Sequence, residues 1–190
     1  DRFVAVNSNG AVSGSSNGIN WNDYNSNMDG IEKVAVGPNK IVYIADSVDN
    51  PSDGDDSLWY ADSYDMPATE VTSVGPANLR QVKYFSSISK FVAVGNNGAD
   101  PEQPALYYSA DGMNWTMNEV DSGFLDTLEY DGASTFRDIA QNGSGFFVIS
   151  NDTNVGGFFI QDVTDALDGD TNVSLLGITC LLYTSDAADE

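Results

Sequence analysis

The sequence contains no histidine, one cysteine and few basic residues. Its 190 residues include 7 Lys and Arg against 29 Asp and Glu, which gives a formal net charge of −22. Without histidine, Ser/His/Asp triads, Cys/His nucleophiles and the common zinc sites are excluded. So acidic a surface repels phosphate backbones and anionic lipids, so we expect no nucleic-acid partner. Carboxylates and tyrosines remain as candidates for acid–base chemistry.

Long hydrophobic runs are also absent. A membrane-spanning helix needs roughly 20 consecutive apolar residues, whereas the longest run, 175–183, is interrupted by Gly177 and Thr179. We therefore expect no membrane insertion. The chain is nevertheless 41% hydrophobic and 11% aromatic, which is enough apolar material to build a core.

Short apolar strands recur along the sequence. The clearest copies are Phe3–Val6, Ile41–Ile44, Phe91–Val94 and Phe146–Ile149, whose first residues are 38, 50 and 55 positions apart. A second strand precedes the last three copies, at Ile31–Val34, Leu79–Val82 and Phe136–Ile139. Turn-forming residues lie between the two strands of each pair, so each pair predicts an antiparallel hairpin. A third apolar strand follows each pair, at Leu58–Tyr60, Leu106–Tyr108 and Phe158–Ile160.

This period predicts the fold. A unit of three or four short strands every 40–55 residues is typical of a β-propeller blade, and no stretch shows helical periodicity. We therefore predict an all-β fold, a partial β-propeller of about four incomplete four-stranded antiparallel blades. The blades are predicted at about 1–28, 29–77, 78–132 and 133–179. The first should lack its inner strand, and the next two should have inner strands at Ile31–Val36 and Arg80–Tyr84.

One motif occurs twice. Ser15–Trp21 and Ser109–Trp115 share Ser, Gly, Asn and Trp at the same places, with Asn17 or Asp111 at the third position. Ser and Asx side chains accept hydrogen bonds from turn amides, glycine tolerates positive φ, and Trp buries a large ring. The motif resembles the Asp-box of the sialidase-type (BNR) repeat family, Ser-x-Asp-x-Gly-x-x-Trp, with one residue fewer between Asp and Gly.

The resemblance covers about residues 2–162 and implies a propeller in which each box is a structural turn. In that family the turn joins the third strand to the fourth, away from the ligand-binding end. The residues implied as structural are Ser15, Asn17, Gly18, Trp21, Ser109, Asp111, Gly112 and Trp115. Residues 61–65 are a degenerate remnant of the box, and the fourth blade has no clear copy.

The end opposite the boxes is predicted to carry acidic loops at 46–56, 96–104 and 121–134. The first loop contains four clustered aspartates: Asp49, Asp53, Asp55 and Asp56. Their oxygens can reach one Ca²⁺, although the spacing is not that of an EF-hand. A weak calcium site is therefore one hypothesis, and a solvated acidic surface is the other. No other cofactor is predicted.

Two functions remain open. The first is a non-catalytic binding or scaffold module of an extracellular or virion-associated protein, with a glycan or a protein as partner beside the remaining blades of the same chain. The alternative is a fragment of a sialidase-like glycoside hydrolase whose catalytic residues lie in missing blades. A sialidase needs an arginine cluster, and this sequence has only Arg2, Arg80 and Arg137. We favour the first function and predict no catalytic residue.

The two ends of the sequence are unusual. Residues 180–190 resemble the translation of a transposon adapter used in DNA sequencing libraries. A natural polar tail is the alternative interpretation. The chain opens at Asp1 without a methionine, so we expect that a beginning is missing. Because Cys180 lies in the adapter-like segment, the only cysteine is no guide to the redox compartment.

Overall fold

The computed structural model describes residues 3–47, 56–74, 77–98, 103–119, 135–152, 157–167 and 178–180. Strands account for nearly all of its regular structure. They are β1 (Phe3–Val6), β2 (Ala11–Ser15), β3 (Asn22–Asn25), β4 (Lys33–Val36), β5 (Ile41–Asp46), β6 (Asp56–Ala61), β7 (Thr69–Glu70), β8 (Leu79–Phe85), β9 (Lys90–Asn96), β10 (Pro104–Ser109), β11 (Thr116–Glu119), β12 (Thr135–Asn142), β13 (Gly145–Asp152), β14 (Gly157–Asp162) and β15 (Ile178–Cys180). A single helical turn, α1 (Thr164–Leu167), follows β14. Among the described residues, no helix is both long and apolar enough to span a bilayer.

The strands form four antiparallel sheets in chain order. The first sheet is β1-β2-β3, and the others are β4 to β7, β8 to β11 and β12 to β15, each strand pairing with the next. This up-and-down order is that of propeller blades, and we call the sheets blades 1 to 4. The predicted all-β fold, a partial propeller, is confirmed.

Blade 1 begins at the second strand position. The first box connects β2 to β3, and the second connects β10 to β11, the third and fourth strands of blade 3. β1 therefore corresponds to β5, β9 and β13, and the described residues of blade 1 include no inner strand. The inner strands of blades 2 and 3 are Lys33–Val36 and Leu79–Phe85, close to the predicted ranges.

Apolar cores lie between consecutive blades. In β5, Ile41 and Tyr43 belong to the core against blade 1, whereas Val42 and Ile44 belong to the core against blade 3. Successive side chains point to opposite faces of a sheet, so a strand that is covered on both faces is apolar throughout. This double burial explains why the second strands read as continuous apolar runs. Each fully buried Val or Ile contributes roughly 1.5–3 kcal/mol.

The fourth blade reaches the adapter-like tail. Cys180 is the last residue of β15 and pairs with Phe159 of β14. The first residue of the segment interpreted as adapter-derived therefore extends the sheet by one pair. Residues 181–190 lie outside the described part of the chain.

Candidate functional site

The first box is a turn whose polar groups bond to one another. The Ser15 hydroxyl accepts a hydrogen bond from the Gly18 amide at 2.8 Å. The Asn17 side-chain oxygen Oδ1 accepts bonds from the backbone amides of Ile19 and Asn20, each at 2.9 Å. Trp21 donates its indole N–H to the Gly18 carbonyl at 3.2 Å, and Gly18 has a φ of +72°. The spacing of the motif thus corresponds to one closed set of bonds.

The second box repeats these bonds with a charged residue. Ser109 accepts a bond from the Gly112 amide at 2.9 Å, and Trp115 donates to the Gly112 carbonyl at 3.1 Å. Asp111 accepts bonds from two following amides and from the Asn114 side chain, at 2.7–2.8 Å. These donors, the Asn114 backbone N–H first, hold the pKa of Asp111 well below its usual range.

The predicted acidic site falls largely outside the described residues. Asp49, Asp53 and Asp55 lie there. Asp56 was expected in a flexible loop, but it is the first residue of β6 and is buried. Its backbone pairs with Asp46 and also exchanges two hydrogen bonds with Ala77, which extends the strand into the predicted loop. Among the described residues, no group of three or more His, Cys, Asp or Glu could hold a metal ion.

The two described arginines occupy equivalent places in neighbouring blades. The pairing of β8 with β9 shifts between Leu79 and Gln81, and that of β12 with β13 shifts between Phe136 and Asp138. Arg80 and Arg137 are therefore the bulged residues of two consecutive inner strands. Such bulges re-aim a side chain at the edge of a sheet. Because the same bulge recurs in both blades, the repetition favours a structural role for the two arginines as part of the blade.

A groove of about 310 Å³ lies between blades 1 and 2, beside the first box. It is therefore at the end of the blades opposite to the one where the resemblance implies ligand binding. Its lining is Gly14, Ser15, Ser16, Asn17, Asn20, Asn22, Ser63 and Tyr64, without a single charged side chain. Tyr64 covers Gly14 so closely that a Cβ at position 14 would lie 2.3 Å from the ring. The Asn22 amide donates to the Tyr64 hydroxyl at 3.4 Å. Because glycine has no Cβ, Gly14 leaves the space that the Tyr64 ring occupies.

Several polar groups of this groove remain available to a ligand. Ser15 and the Asn17 oxygen are used by the turn itself. In contrast, the side chains of Ser16, Asn20 and Ser63 form no hydrogen bond within the described parts of the chain. Hydroxyl and amide groups of this kind both donate and accept. Together with the Tyr64 ring, they form a polar surface beside an aromatic one.

The next groove has a different chemical character. About 470 Å³ lies between blades 2 and 3, where Lys40, Asp111, Tyr84 and Phe91 are among the lining residues. The lysine also forms an ion pair with Asp62. In both grooves a box or its remnant meets the preceding blade, which contributes its own box to the first groove and the turn 38–40 to the second. Of the two, the first has the uncharged lining.

No family model and no curated protein matches this sequence. Solved structures do resemble it. A family 117 glycoside hydrolase of the marine bacterium Zobellia galactanivorans, Zg3597, is 14% identical with a TM-score of 0.44, covering 90% of this chain and 55% of its own. The Bombyx mori GH32 β-fructofuranosidase BmSUC1 is 14% identical with a TM-score of 0.41, covering 91% and 42%. Trypanosoma rangeli sialidase is 13% identical with a TM-score of 0.49, covering 90% and 32%. The chain thus spans between about a third and about half of these proteins, and likenesses at these scores transfer no residue role.

Proposed function

We propose that the chain is a non-catalytic, glycan-binding scaffold module and that the groove between blades 1 and 2 holds a neutral glycan. The observation that carries this proposal is the uncharged lining of that groove in a protein with a net charge of −22. Its volume of about 310 Å³ lies at the lower end of ordinary ligand sites.

The groove offers the groups that a neutral sugar uses. Sugar hydroxyls both donate and accept hydrogen bonds, as do the side chains of Ser16, Asn20 and Ser63. The Tyr64 ring supplies a flat apolar surface and a hydroxyl at its rim. An anionic glycan would instead approach a strongly negative protein, which opposes its association. A neutral glycan is therefore the better match.

The lining also lacks what glycoside hydrolysis requires. Glycosidases place two carboxyl groups about 5–9.5 Å apart around the scissile bond, and no Asp or Glu lines this groove. The alternative remains a fragment of a sialidase-like hydrolase with its catalytic residues in other blades. One observation favours that alternative. The buried Nε of Arg80 has no hydrogen-bond partner within the described residues, and a sialidase needs a cluster of arginines.

Calorimetric titration tests the proposal. Neutral gluco-, galacto-, manno- and xylo-oligosaccharides would be compared with a sialylated trisaccharide. We expect saturable binding of at least one neutral oligosaccharide and none of the sialylated one. Tyr64→Ala should abolish this binding because the ring is lost. Ser144→Ala, in the exposed hairpin of blade 4, should leave it unchanged.

Two results would contradict the proposal. One is the absence of saturable binding to any of the neutral oligosaccharides. The other is binding that Tyr64→Ala leaves intact, because the ligand would then occupy another surface. Product analysis after long incubation addresses the alternative, since release of new reducing ends would indicate hydrolase activity.

A further inference from the structure

Asparagine is followed directly by glycine at four places in the sequence, 9–10, 17–18, 97–98 and 142–143. Such a pair can react with itself in water. The glycine amide nitrogen bonds to the asparagine Cγ and gives its proton to solvent, while the side-chain nitrogen leaves as ammonia. Water then opens the five-membered ring at either carbonyl, which leaves aspartate or isoaspartate. Glycine favours the attack because it has no side chain in the way, and asparagine is accordingly one of the thermolabile residues.

In the first box, hydrogen bonds hold both groups that would have to react. The Gly18 amide donates to the Ser15 hydroxyl at 2.8 Å. The Asn17 Oδ1 accepts bonds from the backbone amides of Ile19 and Asn20, each at 2.9 Å. Ring closure requires the Asn17 side chain and the Gly18 amide to rotate toward each other, which breaks these three bonds. The box therefore opposes the reaction at Asn17.

Two other pairs are each held at one of their two residues. The Gly10 amide donates to the Asn7 carbonyl at 3.2 Å. Gly10 is also buried, and a Cβ there would lie 2.3 Å from the Met28 carbonyl oxygen. In the pair 97–98, the Asn97 Oδ1 accepts a bond from the Gln103 amide at 3.0 Å. Either the attacking amide or the attacked side chain is thus engaged.

The fourth pair lies at the tip of the β12–β13 hairpin, where both of its residues are exposed. Within the described residues, neither the Asn142 side chain nor the Gly143 amide forms a hydrogen bond. A Cβ at Gly143 would have nothing within 4 Å, so there is room for the backbone to rotate. Asn142 and Gly145 are the last pair of the hairpin. Only this terminal pair has to open for the amide to reach the Asn142 Cγ, and such ends open at little cost in free energy.

We propose that Asn142 is a modification site, where spontaneous deamidation through the Gly143 amide adds a negative charge to the hairpin of blade 4, and that the bonds of the first box protect Asn17 from the same reaction. The proposal does not depend on a ligand in the first groove. It does bear on that groove, because Asn17 belongs to its lining. Deamidation of Asn17 would place a carboxylate there, so the box also keeps the lining uncharged.

Peptide mapping by mass spectrometry during incubation at mildly alkaline pH tests the proposal. In the folded protein, Asn142 should deamidate at least about tenfold faster than Asn17, the factor expected when more than one hydrogen bond must first be broken. In guanidinium chloride the four pairs should react at similar rates, because the fold is lost. Ser15→Ala removes the acceptor of the Gly18 amide, so it should accelerate the reaction at Asn17 and leave Asn142 unchanged. Ser15→Thr keeps the hydroxyl and should leave Asn17 slow.

Three results would overturn the proposal. The first is a rate at Asn142 no higher than that at Asn17 in the folded protein. The second is a difference between the two that persists in guanidinium chloride, since the flanking sequence would then be its cause. The third is a folded Ser15→Ala variant in which Asn17 reacts as slowly as in the wild type. The pair 9–10 reports on folding of this variant, because general unfolding of blade 1 would accelerate that pair as well.

Discussion

Truncation of Phe91 should cost far more stability than truncation of its counterpart Phe3. Phe91 lies between blades 2 and 3, with the Tyr84 ring at 4.9 Å and the Trp115 ring at 6.5 Å between centroids. Removing a buried phenylalanine ring costs about 3–5 kcal/mol, since both the buried area and the packing contacts are lost. Phe3 begins the equivalent strand but is about half exposed. Full burial of such a side chain is worth about 1.5–3 kcal/mol, so Phe3→Ala should cost about 1 kcal/mol.

Urea unfolding at low micromolar concentration would measure both values, with the free energy extrapolated linearly to water. The two substitutions delete the same atoms from the same strand position. The difference between the two losses in unfolding free energy therefore reports how deeply each ring is buried. Equal losses for the two variants would refute the conclusion that blade-on-blade burial stabilises the repeat. A larger loss for Phe3→Ala would do so even more strongly.

Further predictions concern the second box, a close contact and the tail. Because the pKa of Asp111 is depressed, its charged form stabilises the fold above the ordinary pKa near 4, and this contribution is lost as the pH falls below that value. Acid unfolding should therefore show less destabilisation for Asp111→Asn, which copies the first box, than for the wild type. In urea unfolding, Gly14→Ala should lower the free energy of unfolding by about 1–3 kcal/mol because it displaces Tyr64. Gly143→Ala is the control, since a Cβ there has nothing within 4 Å. It should show only the strain of its positive φ, +63°. Deletion of 181–190 should leave the free energy of unfolding in urea unchanged. A loss of more than about 1 kcal/mol would show that the segment belongs to the domain.

The sequence predicts the blades well because their signals are local. An apolar run such as Phe91–Val94 needs both faces covered, and the preceding turn residues place its partner strand. The bonds of each box involve residues no more than three positions apart, such as Ser109 and Gly112. A pattern that spans a few residues can therefore be recognised without knowledge of the rest of the chain.

Contacts between blades are less predictable from the sequence. Tyr64 lies in a remnant of the box, and nothing near it in the sequence indicates that its ring covers Gly14, fifty residues earlier. A small residue within a strand hints at such a close approach, but it does not identify the partner. Asp56 is a similar case. It was predicted in a loop because its pairing with Ala77 is a contact between residues far apart in the sequence, which the local pattern does not indicate.

Comparison of the two boxes separates what a motif determines from what its neighbours determine. Their hydrogen bonds agree within a few tenths of an ångström, yet Trp115 is buried and Trp21 is not. The turn is thus set by its own residues, whereas burial depends on the adjoining blade. The same division governs the grooves, which arise where a box or its remnant meets the preceding blade. Asn17 of blade 1 and Ser63 of blade 2 both line the first groove, at the motif position that Asp111 occupies in blade 3. The uncharged residues at this position thus leave the first groove without the carboxylate that the second groove has. A repeat that keeps its fold through shared bonds can in this way vary the chemistry of each groove independently.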